Sequence, residues 1–168
     1  MIRSMLLILA LVAPATAANG DAPLTARSRA LDGDTISIDL RLLGVDAFER
    51  SQLCERGNGC WPCGKAAQDF AARLLRHSDA TITLTPMRTY GRPVARVDVN
   101  GVDLGQALVE AGLAIPEPQY LRGMPSLASR YAFAYEAARG ARRGAHAGAF
   151  VEPSRWRYGQ RLACERRR

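Results

Sequence analysis

The spacing of apolar residues changes several times along this chain. Ile36, Ile38, Leu40 and Leu42 recur at every second position, which puts them on one face of a strand. Residues 25–46 therefore read as β structure. Residues 47–63 contain Gly57, Asn58, Gly59 and Pro62 and read as a loop. From Gly64 to His77 the period lengthens. Ala67, Phe70, Ala71, Leu74 and Leu75 fall at helical spacing, with Asp69, Arg73 and Arg76 elsewhere on the surface. Ala80–Pro86 and Pro93–Val99 alternate as strands, and Asn100-Gly101 is a turn signal. Leu104, Ala107, Leu108 and Ala111 mark a short helix stopped at Gly112. Ser126 is a candidate cap for a longer helix, whose apolar stripe is Leu127, Tyr131, Ala134, Tyr135 and Ala138. Arg139, Arg142 and Arg143 crowd its end.

About three strands, a helix, two strands and two helices follow one another, with no internal repeat and no dividing linker. The fold class this predicts is α+β: a five-stranded OB-fold β-barrel with about three packed helices, a scaffold that commonly binds oligonucleotides.

The beginning of the chain differs in kind. Arg3 precedes an apolar run from Met5 to Ala13, and Ala15-Thr16-Ala17 is a small-residue cleavage site. Residues 1–17 read as a signal peptide. The run is about half of the ~20 residues that a membrane span needs, so no stable membrane anchor is expected. Residues 18–24 read as a flexible leader, 25–158 as the folded domain and 159–168 as a basic tail. The protein is expected to be exported, to a periplasm or beyond the cell, and to be a monomer.

Charge sharpens the picture. The chain carries a net charge of +7, and Lys65 is its single lysine. Arginine is the side chain suited to planar, bidentate contact with phosphate, so a polyanion partner is expected. Cys54, Cys60, Cys63 and Cys164 make an even count in an exported chain, which argues for disulfides. Four cysteines allow three pairings. Joining Cys54 to Cys63 would close a short loop, and joining Cys60 to Cys164 would pin the tail. That arrangement is preferred, and the other two stay open. Cys60-Trp61-Pro62-Cys63 also has the C-x-x-C form of a redox motif, but it follows a loop and not a strand of a βαβ unit. Three close cysteines offer zinc a further alternative. His77 and His146 are isolated and read as ordinary surface or helix-end residues.

The chemistry concentrates in LRLLGVDAFER, Leu40–Arg50. Arg41 falls on the face opposite Leu40 and Leu42 in a regular strand, and Asp46 and Glu49 follow. Upstream, Asp32-Gly33-Asp34-Thr35 taken alone is most often a turn. Downstream, Arg92 closes Thr89-Tyr90-Gly91-Arg92. Phosphodiester hydrolysis is expected to need a metal to polarise the phosphate, a base to activate water and cations to stabilise the added negative charge. Asp34, Asp46, a nearby carbonyl, Glu49, Arg41 and Arg92 supply that set.

LDGDTI, LRLLGVDAFE, TYGR, VDLGQALVEAGLA and FVEPSRWR occur in this order, and together they resemble the thermonuclease family, typified by staphylococcal nuclease. The resemblance runs from about Thr25 to Arg157. It implies an OB-fold barrel and calcium-dependent hydrolysis of DNA and RNA. It implies that Asp34, Asp46 and the backbone carbonyl of Ala47 ligate calcium and that Glu49 is the general base. Arg41 and Arg92 would bind the phosphate and stabilise the transition state, and Tyr90 and Tyr120 would lie beside the nucleotide. The alternative from another class is a noncatalytic OB-fold that binds nucleic acid or another polyanion. Such a binder has no need for three acids beside a phosphate.

The chain departs from the family pattern at three places. Phe48 replaces a usual proline before Glu49, which removes backbone stiffness there. His146 replaces a usual tryptophan, which reads as a packing change far from the acids. The second hairpin is short: Asp34 and Asp46 are twelve residues apart. An extended chain would separate them by roughly 40 Å, whereas ligands of one calcium lie about 2.3–2.6 Å from it. The chain must reverse between them, and Asp39 is the best local candidate for the tip.

Overall fold

A computed structural model describes residues 24–76 and 78–166. The expected signal peptide, the leader up to residue 23, and His77 lie outside the described residues. The architecture is mixed α+β, with ten strands and four α-helices among the described residues.

Strands β1 (Ser28–Ala30) and β2 (Ile36–Ile38) form a hairpin and, among the described residues, pair only with each other. Strand β3 (Arg41–Leu42) runs parallel to β8 (Arg92–Val99), which pairs antiparallel with β7 (Ala80–Thr89). Strand β9 (Val102–Asp103) returns along β8 after Asn100-Gly101, where both residues have positive φ, as a tight hairpin turn of this kind requires. Strand β4 (Val45–Ala47) leaves that sheet and pairs antiparallel with β10 (Ala114–Pro116). Residues expected to form a loop hold a further hairpin, β5 (Cys54–Arg56) with β6 (Gly59–Trp61), turning at Gly57 with φ +59°.

Among the described residues no single sheet closes into a barrel: the strands of the expected five-stranded OB-fold barrel are divided over four small sheets, while the mixed α+β class is as expected. After Ile38 only Asp39 and Leu40 precede β3, and across them the chain passes from the β1–β2 hairpin into the sheet of β3, β8 and β7 without β2 pairing to β3. Asp39 is not the tip of a reversal. Its N–H donates to the Arg27 carbonyl at 2.9 Å and extends the β1–β2 ladder. The expected single apolar face is therefore split. Ile36 and Ile38 are exposed, as are Ile82 and Leu84 on β7, while Leu40 and Leu42 are partly buried.

The four helices are α1 (Cys63–Leu75), α2 (Leu104–Glu110), α3 (Pro125–Gly140) and α4 (Pro153–Arg157). The periodicity placed the first three well. In α3, Leu127, Tyr131, Ala134 and Ala138 are buried as the stripe predicts, with Tyr135 partly buried against them. Ser126 does not cap that helix. It falls inside the first turn, after Pro125, whose fixed φ suits a first helical position. The main core joins β4, β8, α1, α2 and α3 through Val45, Val97, Ala67, Leu108 and Tyr131.

Asp103 ties two helices together. Its Oδ1 accepts from the Gln106 N–H at 2.9 Å, capping α2, and from the Tyr131 hydroxyl at 2.8 Å. Burial and the Asp103 carboxylate push the Tyr131 phenol well above its ordinary value. Replacing Asp103 with alanine removes the cap and leaves a buried hydroxyl unpaired. The expected loss of unfolding free energy is about 2–4 kcal/mol by urea denaturation, and a loss under about 1 kcal/mol would contradict this account.

Candidate active site

The site begins at a bend. Gly44, at φ +68°, carries the chain from β3 into β4 and so from one sheet to another. A Cβ there would press into the Leu121 side chain, so glycine suits the position on two counts. Across the bend Arg41 and Asp46 meet: Arg41 Nη2 donates to Asp46 Oδ1 at 3.2 Å.

One cleft of about 810 Å³ is lined by Arg41, Asp46, Ala47, Glu49, Tyr90, Arg92 and Tyr120. These are seven of the eight residues expected to act on calcium or substrate, brought together from β3, β4, β8 and the connecting turns. The volume is that of an ordinary small-molecule site. Tyr90 and Gly91 have positive φ, making the tight turn that delivers Arg92 to the start of β8. Tyr90 is 77% exposed and Tyr120 is 38% exposed, so neither ring is a core residue. Among the described residues the Arg92 guanidinium has no hydrogen-bond or ion-pair partner. It is a free cation at the cleft.

Asp34 is the exception. It stands in the exposed β1–β2 turn and does not line the cleft. There Asp32 Oδ1 accepts from the N–H groups of Asp34, at 3.2 Å, and Thr35, at 2.8 Å. The Asp-Gly-Asp stretch thus behaves as the turn its composition favours.

Glu49 is placed by packing and by a buried amide. Phe48 is buried and meets Phe150 edge-on, with ring centroids 5.2 Å apart. His146 contacts Phe150 and Tyr135 in the same aromatic row. His146 is partly buried and, contrary to expectation, is not far from the acids, since Phe150 bridges it to Phe48, the residue preceding Glu49. Burial, then the charge of Arg139, lowers the pKa of His146. The stiffness that proline would give is supplied here by side-chain contacts. Gln52 is fully buried; its Oε1 accepts from the Glu49 N–H at 3.1 Å, and its Nε2 donates to the Val151 carbonyl at 2.6 Å. A Cβ at Gly64 would overlap the Glu49 carbonyl, so α1 packs directly against this backbone. Replacing Gln52 with alanine is expected to cost about 1–3 kcal/mol, because a buried carbonyl and a partly buried N–H lose their partner. Denaturant unfolding checks this, and a change below about 0.5 kcal/mol would contradict it.

The residue that sequence reasoning missed is Arg157, at the end of α4. Its Nη2 donates to Asp46 Oδ2 at 2.8 Å, and its Nη1 donates to Asp46 Oδ1 at 2.9 Å and to Glu49 Oε1 at 2.7 Å. The Asp46 hydrogen bonds, followed by the Glu49 bond, push its guanidinium above the ordinary value. Glu117, also in the cleft, is shifted upward by burial and then by the negative charge of Asp46. The one signal pointing to Arg157 was its place in FVEPSRWR.

The cysteines pair as preferred, Cys54 with Cys63 and Cys60 with Cys164, so Cys60 and Cys63 are not a redox pair. Among the described residues no cysteine is free for zinc.

The proposed calcium ligands do not fit together in this arrangement. Asp46 and Ala47 line the cleft and Asp34 does not. Both Asp46 carboxylate oxygens already accept from guanidinium groups. Among the described residues no group of three or more His, Cys, Asp or Glu side chains is placed to hold a metal ion.

Fold and site together define an α+β domain with a cleft of interleaved guanidinium and carboxylate groups. The family described as staphylococcal nuclease homologue matches residues 39–146, and the chain belongs to that family. The matched stretch contains Arg41, Asp46, Glu49 and Arg92, and it excludes Asp34 and Arg157. No curated protein matches the chain.

Proposed function

We propose that this protein is an exported nuclease that hydrolyses phosphodiester bonds of DNA and/or RNA. One observation carries the reading: Arg41, Glu49 and an unpartnered Arg92 share one cleft. A nucleic-acid phosphate entering the cleft meets Arg92, whose charge no group among the described residues neutralises. Arg41 and Arg92 stabilise the negative charge that builds on the phosphate oxygens as water attacks. Glu49 takes the proton of that water, and the displaced ester oxygen leaves with a proton from solvent. Tyr90 and Tyr120 offer ring faces to flanking bases.

Calcium dependence is the finer expectation that the family carries. Because Asp34 stands apart from Asp46, no step of this proposal passes through a metal, and calcium enters the test as a variable. Export is supported by the two disulfides, which persist in oxidising compartments. Among the described residues no helix is long and apolar enough to cross a membrane.

A second reading, a noncatalytic nucleic-acid or polyanion binder, is favoured by Arg157. Carboxylates neutralised by a guanidinium no longer repel phosphate. Incubating the purified mature protein with single-stranded DNA, in calcium and in chelator, separates the two. Shortened products in calcium support the nuclease, whereas retained binding with intact DNA in both buffers supports the binder.

A further inference from the structure

Arg157 is not a wandering surface arginine. It lies 111 residues from Asp46 in sequence and is held in place from outside the cleft. Trp156, beside it, donates from Nε1 to Glu165 at 2.8 Å, and Arg161 stacks on the Trp156 ring at 3.8 Å. Cys164 anchors that segment to Cys60 on β6. Its guanidinium then makes three charge-assisted hydrogen bonds to two carboxylates, engaging both oxygens of buried Asp46. Yet Arg157 and Glu49 remain about one-third exposed, so the guanidinium has a way out of the cleft.

We infer that Arg157 is the resident cation of the Asp46–Glu49 pair, and that a divalent cation reaching Asp46 must displace it. The reason is elementary. A calcium ion needs carboxylate oxygens at about 2.3–2.6 Å, and those of Asp46 already face a positive group at hydrogen-bond distance. Two cations on one carboxylate repel, so the protein's own charge lowers its affinity for the ion. The divalent cation is the calcium that the family resemblance implies, and no step of the hydrolysis proposed above depends on it. The test uses calcium without nucleic acid, so failure here and failure of cleavage are separate results.

The experiment is calorimetric titration of the full mature protein with calcium chloride, comparing wild type with R157Q. Removing the competing charge is expected to tighten calcium binding by about ten-fold or more. The gain is expected to vanish in R157Q combined with D46N, which places the ion at Asp46. R157K keeps one charge, cannot fork across both carboxylates, and is expected to fall between; it carries the test if R157Q does not fold. Equal or weaker calcium affinity in the variants overturns the inference, as does a gain that survives D46N.

Discussion

Replacing Glu49 with glutamine is expected to lower turnover on single-stranded DNA by about 10²–10⁴-fold, the range for loss of a general base. Glutamine keeps the shape of the side chain. Its amide oxygen still accepts from Arg157, and the backbone stays tied to Gln52. What it loses is the capacity to take a proton. DNA affinity should therefore change little while the rate collapses, a split that a general folding defect would not produce. Single-turnover rates at saturating protein measure it. Turnover at the wild-type level would remove Glu49 from the role of base.

The second large effect concerns stability. Opening Cys60–Cys164 by alanine substitution at both positions is expected to cost about 4–5 kcal/mol, the chain-entropy value for a loop of roughly 100 residues. The short Cys54–Cys63 loop should cost less, about 2–3 kcal/mol. A domain of this size is stable by only about 5–15 kcal/mol, so the long bridge carries a large part of the total. It also fixes the segment after α4, and with it Arg157. Guanidinium denaturation of each double variant gives the comparison. A loss under about 1 kcal/mol for the long bridge would show that the tail holds its place without it.

The helices were legible because each buries one stripe at a fixed period. The Leu127, Tyr131, Ala134 and Ala138 spacing in α3 has no reading as a strand. Strands β7 and β8 were legible for the matching reason, and the Asn100-Gly101 turn by its chemistry. The first half of the chain was harder. Ile36, Ile38, Leu40 and Leu42 alternate as one strand would, but alternation fixes a face and not what covers it. Among the described residues β2 pairs with β1 alone, and Ile36 and Ile38 on it stay exposed. Hairpin β5–β6 was hidden because Gly57, Asn58 and Gly59, read as loop, are the turn between two very short strands.

Within the site, the family motif marked Arg41, Glu49 and Arg92, and these do share a cleft. Asp34 shows the limit of that inference, since a motif fixes residue types while the length of the intervening chain decides what they reach. Arg157 was invisible for another reason. Nothing local in the sequence announces an ion pair across 111 residues, and one arginine among many in a basic chain carries no distinguishing pattern.

If this cleft directs water onto a phosphodiester, the new end of the cut strand carries an oxygen from solvent. The most direct measurement is cleavage of single-stranded DNA by the mature protein in calcium buffer made with water enriched in heavy oxygen, followed by mass spectrometry of the products. Shortened DNA carrying one heavy oxygen on the new terminal phosphate is the expected result. DNA that is bound but intact, or cut without gaining the label, would contradict it.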